Sequence, residues 1–171
     1  MNDTQRKAEI ILALDVETRK QAMEIVTRVG SDLNWVKIGL QSFLRDGPDF
    51  VKELAEEGLH VFLDLKLHDI PNTVAKAIES LGGLPIRMLT MHACAGAECM
   101  RAATAACNEH LPDATLLAVT VLTSLNDDAL AETGIADRAE FQVKRLAALA
   151  VGSGVNGIVC SPLEIELLRE I

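Results

Sequence analysis

Asp64-Leu65-Lys66-Leu67-His68-Asp69 places two carboxylates and an ammonium within six residues. The cluster follows Leu59-His60-Val61-Phe62-Leu63, an apolar run with the composition of a buried parallel strand. It breaks at Pro71 and enters Val74-Ala75-Lys76-Ala77-Ile78, the first turns of a helix, where an early proline is favoured because the amide it lacks would be unpaired anyway. The charges therefore sit where a strand ends and a helix begins. Side chains at i and i+2 of a strand share a face, so Asp64 and Lys66 are expected to point the same way, with Asp69 following on the loop. Such a cluster supplies fixed charge of both signs, and flanking carboxylates favour the protonated lysine against the cost of burying it. The structural alternative is a solvated ion pair at a strand end, with Asp69 serving only as a helix cap.

The elements that would position this cluster repeat one pattern. Strands are expected at Ile10–Leu14, Asn34–Gly39, Leu59–Leu63, Pro85–Met91, Ala114–Val121 and Val155–Cys160. Helices are expected at Thr18–Val29, Pro48–Glu57 (closed by Gly58), Asn72–Leu81, Gly96–Glu109 and Ala139–Ala150. A last helix opens at Ser161-Pro162 and runs to Ile171. The long polar stretch Leu125–Arg138 reads either as a lid or as a solvated insertion.

Alternating β and α with uniformly apolar strands implies a parallel sheet with right-handed crossovers. Asp15, Lys37, Asp64, Lys66, His92 and Thr123 fall at the C-terminal ends of different strands, the pattern of a (β/α)8 barrel. An open doubly wound sheet would carry a Gly-rich phosphate loop after its first strand, and Leu14-Asp15-Val16-Glu17 has no glycine. The glycines of 152–157 precede a strand and read as a turn. The expectation is a single barrel domain over 1–171 supplying the first six βα units, ending before strands seven and eight.

The 171 residues suit one globular domain, 49% apolar and 24% charged. A formal charge of −9 argues against nucleic acid as a partner, though it leaves room for a local pocket for a small phosphorylated substrate. Cys94, Cys99, Cys107 and Cys160 form no C-x-x-C pair, and His60, His68, His92 and His110 lack zinc-site spacing, so reduced, cytoplasmic thiols are expected. Ala114–Asn126 is uncharged but falls short of the roughly 18 residues that suggest a membrane helix. No signal peptide is visible.

Asp64-Leu65-Lys66-Leu67-His68-Asp69-Ile70-Pro71-Asn72-Thr73 resembles the signature of the bacterial-type orotidine 5′-phosphate decarboxylases. The resemblance extends over the whole chain, through Ala13-Leu14-Asp15, Val36-Lys37-Ile38-Gly39, Met91-His92-Ala93 and Thr120-Val121-Leu122-Thr123-Ser124 in the matching order. It implies cofactor-free and metal-free conversion of orotidine 5′-phosphate to UMP and CO2 by a homodimer. Carried over by motif, Asp15 and Lys37 hold the ribose and Asp64 lies by the substrate carboxylate. Lys66 donates the proton, and Thr123 contacts the pyrimidine. Asp69 and Thr73, with Ile70 between them, belong to the substrate site, Asp69 and Thr73 reaching into the neighbouring subunit. His92 lies in a matching motif, with a core or supporting role equally open.

Two alternatives stand beside this reading. Metal-dependent sugar-phosphate decarboxylases and synthases of the same superfamily share Asp-x-Lys-x-x-Asp, but they place an acidic metal ligand where this chain has Lys37. The other is a non-catalytic partial barrel, because strands seven and eight supply the phosphate-binding residues of such barrels.

Overall fold

The computed structural model describes residues 8–171. Six strands alternate with helices: β1 Ile11–Ala13, β2 Trp35–Gly39, β3 His60–Leu67, β4 Ile86–His92, β5 Thr115–Val119 and β6 Gly157–Val159. The strands follow chain order across the sheet, β1-β2-β3-β4-β5-β6. An open doubly wound sheet reverses direction at a switch point, so an unreversed order is that of successive units of a (β/α)8 barrel. The chain divides into two compact units. One holds residues up to Asp64 together with Pro85–Arg87, and the other holds Leu65–Leu84 and Met88–Ile171.

In the first unit β1 pairs with β2, and β2 with β3, all parallel. Helix α1 (Arg19–Val29) opens on a capping box in which Thr18 and Gln21 satisfy each other's backbone amides. Helix α2 runs Leu40–Glu56, earlier than the expected start at Pro48. Gly47, at φ 67° and ψ −165°, breaks it into two helical pieces just before Pro48, the residue that disfavours helix on its N-terminal side. Phe50, Val51 and Leu54 of the second piece are fully buried with Val36, Ile38, Val61 and Leu63 of the strands. Arg19 lies over the Phe50 ring and pairs with Glu53 at 2.6 Å.

In the second unit β4 pairs with β5, and β5 with β6, again parallel. Helix α3 (Pro71–Ser80) packs on α4 (Ala97–His110). Val74 and Ile78 are buried on α3, as are Cys99, Met100, Ala103 and Cys107 on α4. Helix α6 (Ala139–Gly152) buries Val143, Leu146, Ala147 and Ala150, spaced i, i+3, i+4 and i+7 along a single stripe.

Two expectations need correction. The stretch 125–138, read beforehand as a long loop, is not loop throughout. It contains α5 (Asp127–Glu132), capped by Asn126 and anchored by Leu130, which is 2% exposed. At the other end the final helix does not run to Ile171. Ser161 and Glu164 form a capping box on a single 3-10 turn, and α7 covers only Ile165–Leu168.

Candidate active site

Strand register brings three of the expected site residues together in the first unit. Ala13 pairs with Lys37, Lys37 with Phe62, and Gly39 with Asp64. Paired residues of neighbouring parallel strands share a face, and the faces alternate along each strand. Lys37, Gly39 and Asp64 therefore face the same side, opposite the buried Val36 and Ile38. The ladder continues past β1 with the Leu14 amide donating to the Lys37 carbonyl at 3.0 Å, which brings Asp15 level with Gly39. Gly39 has no side chain at this level. Lys37, one step lower, extends into the gap.

Its ammonium lies 3.1 and 3.2 Å from the two carboxylate oxygens of Asp15 and 3.6 Å from Asp64. The side chains are 59% exposed at Asp15, 20% at Lys37 and 12% at Asp64, so the ammonium bridges an exposed carboxylate and a largely buried one. A Cβ on residue 39 would stand 3.0 Å from Asp15 Oδ1 and 3.4 Å from Lys37 Nζ. A side chain at this position would crowd the ion pair, which would have to shift by a few tenths of an ångström.

The loop carrying Asp15 is held by residues that sequence reasoning missed. Ser42, 2% exposed, donates its hydroxyl to the Leu14 carbonyl at 3.2 Å. Arg45 Nη1 donates to the Val16 carbonyl at 2.9 Å. Asp46 fixes the same guanidinium at 2.6 Å, and that pairing holds the Asp46 carboxyl below the usual carboxylate range. Both Ser42 and Arg45 belong to the Leu40–Asp46 piece of α2, which was not anticipated as helix, so no face had been assigned to it.

The second unit carries Lys66, Asp69, Ile70, Thr73, His92 and Thr123. Lys66 lies inside β3 rather than beyond a strand end, and its φ is 53°, a left-handed conformation unique among the described non-glycine residues. Left-handed backbone costs an L-residue about 1–2 kcal/mol. The alternation rule assumes extended φ and so does not set the direction of this side chain. The Lys66 amide donates to the hydroxyl of Thr90 in β4 at 2.9 Å.

Asp69 is not the cap of α3. Ile70 occupies the N-cap position and Pro71 is the first helical residue. The Asp69 carboxylate instead accepts from the adjoining Ile70 amide at 2.7 Å, while its carbonyl accepts from the Cys99 thiol at 3.4 Å. Burial, assisted by the Asp69 charge, pushes the Cys99 thiol up, so it stays a donor. Asp69, Ile70 and Thr73 are all exposed, Ile70 by 66% despite its apolar side chain. His92 ends β4 with its ring 5.4 Å from that of His68. It also lines an apolar cavity of about 170 Å³ with Thr120, Leu125, Leu130, Ile135 and Leu146. Thr123 lies in an exposed turn four residues beyond the end of β5.

The family model described as orotidine 5′-phosphate decarboxylase / HUMPS matches residues 8–171. The chain belongs to that family. A protein from Opitutus terrae named orotidine 5′-phosphate decarboxylase is 51% identical over 161 residues, which is 94% of this chain and 70% of that protein. A protein of the same name from Idiomarina loihiensis is 44% identical over the same shares. A crystal structure of orotidine 5′-phosphate decarboxylase from Lactobacillus acidophilus superposes with a TM-score of 0.84 at 36% identity, covering 94% of this chain and 75% of that one. A conserved protein from Geobacillus kaustophilus gives a TM-score of 0.89 at 35% identity, covering 94% and 77%. The fold is accordingly that of a partial (β/α)8 barrel, as its strand order indicates. Within the orotidine 5′-phosphate decarboxylase family frame, the residues least visible beforehand were Gly39, Ser42, Arg45 and Thr90. Of these Gly39 stood at the end of the motif Val36-Lys37-Ile38-Gly39, and Thr90 left a trace as a lone hydroxyl in the apolar run Met88–Met91.

Proposed function

We propose that the chain decarboxylates orotidine 5′-phosphate to UMP in pyrimidine nucleotide synthesis, without a metal or organic cofactor. The observation that carries the reading is Lys37 set between Asp15 and Asp64, in a chain whose relatives at 44–51% identity are named for this reaction. The metal-dependent enzymes of the superfamily need an acidic ligand where this ammonium stands. Here the ammonium itself stands between the two carboxylates, and its positive charge repels a divalent cation from the same place.

The chemistry follows from where the charge goes. Breaking the bond between C6 and the carboxylate releases CO2 and leaves the electron pair on C6, where the ring delocalises it poorly. Lys66 stabilises that pair electrostatically and then transfers a proton to C6, giving UMP and a neutral amine that regains its proton from water. An ammonium aimed at C6 gains most once the negative charge has moved onto carbon, which is the condition for lowering the barrier. Asp64 faces the substrate carboxylate, Asp15 and Lys37 grip the ribose hydroxyls, and Thr123 meets the base.

Asp69 and Thr73 act on the site of a second copy. Their exposure, and that of Ile70 between them, supports a homodimer that covers this stretch. The cytoplasm is the proposed compartment. Its four cysteines are free, with thiols that burial keeps protonated, and no helix among the described residues is long and apolar enough to cross a membrane.

The test is to incubate the purified chain with orotidine 5′-phosphate, with and without EDTA, and quantify UMP. Equal UMP formation in both is expected. Formation that collapses with EDTA and returns with Mg²⁺ would move the chain to the metal-dependent enzymes of the family.

A further inference from the structure

We propose that Thr90 is a positioning residue for Lys66, its hydroxyl holding the lysine in the left-handed conformation that aims the ammonium. The inference rests on the reading of Lys66 as proton donor. Compared with a strand residue, φ at 53° swings the Cβ of Lys66 through about half a turn about its N–Cα bond. The direction of the whole side chain is therefore decided at this one torsion. Leu65 and Leu67 on either side remain in β3, so the departure is confined to the lysine itself. No glycine or asparagine is present to make the conformation easy, and something must hold it.

Thr90 supplies the hold. Its hydroxyl accepts the Lys66 amide at 2.9 Å, and the side chain is completely buried. A β-branched side chain has few χ1 options, so the oxygen is fixed relative to β4. Leu89 and Met91 flank it, both at 0% exposure, and valine would fill the same space with better strand character. A buried hydroxyl in an apolar strand is tolerated only when hydrogen-bonded, and the Lys66 amide is a bond it makes. With the amide anchored on β4 and Leu67 back in the strand, the left-handed turn is the conformation that joins them.

The decisive variant is Thr90→Val in the full chain, compared with Thr90→Ser and Lys66→Ala. Thr90→Val removes the acceptor and keeps the volume. It is expected to lower kcat about 10- to 100-fold, the range associated with a misplaced catalytic group, while KM stays within about twofold. Thr90→Ser restores the oxygen and is expected to recover kcat to within about threefold. A crystal structure of Thr90→Val should show Lys66 at negative φ. Should valine prevent folding, Thr90→Ala removes the acceptor without overpacking and takes its place. Thr90→Val with wild-type kcat, or with Lys66 still left-handed, overturns the proposal. If Lys66→Ala instead turns over at the wild-type rate, it is the proton-donor reading that fails.

Discussion

At the scale of single residues, the site depends on what is absent at position 39 as much as on what is present around it. Asp15, Lys37 and Asp64 were legible as polar residues at successive strand ends, and register then brings their charged groups within 3.6 Å of one another through Lys37. The gap that allows this was not legible, because a glycine after a strand is equally at home in any turn. Gly39→Ala would place a methyl group 3.0 Å from Asp15 and push the pair apart. The expected result is a KM for orotidine 5′-phosphate raised about tenfold, equivalent to about 1.4 kcal/mol of binding, with a smaller change in kcat. Steady-state kinetics on the purified variant measure it. The left-handed Lys66 was hidden for a different reason. Leu-Lys-Leu alternates as a strand should, and neither glycine nor asparagine signals the departure. Applying strand alternation to that residue was therefore unsound.

At the scale of elements, the strands were the readable part. Their apolar runs lie within two residues of the observed bounds at every strand but β3, since buried parallel strands have little freedom in composition. β3 was placed short, because the charges that continue it to Leu67 read as its end. The N-terminal piece of α2 was missed because Gly47-Pro48 looks like a helix start and conceals the helix before it. Segment 125–138 was read by its polarity alone. Asn126 followed by Asp127 and Asp128 is in fact an N-cap with an acidic first turn, a signal that points to α5. The segment is tied down at both ends: Asp127 accepts from the Ala139 amide at 2.7 Å, and Asp137 pairs with Arg145. Leu130 is its apolar anchor over the cavity that His92 lines. Leu130→Ala should cost about 2–3 kcal/mol of local stability. Hydrogen exchange would register this as faster exchange of the α5 amides, with the amides of β4 and β5 unchanged.

At the scale of the molecule, alternation of strand and helix implied a parallel sheet, polar residues at the ends of several strands selected a barrel over an open sheet, and the unreversed strand order agrees. The family followed from ten consecutive residues whose chemistry no buried strand requires, and its match spans residues 8–171. Sequence could not supply the division into two compact units, because that depends on which contacts form rather than on which residues are apolar. The account converges on one lysine. Its most direct test is the release of labelled CO2 from carboxyl-labelled orotidine 5′-phosphate by the wild-type chain and by Lys66→Ala, with circular dichroism confirming that both are folded. Loss of both proton donation and fixed positive charge should lower the rate by at least about 10²–10⁴-fold. Release from Lys66→Ala at a rate near that of wild type would contradict the assignment.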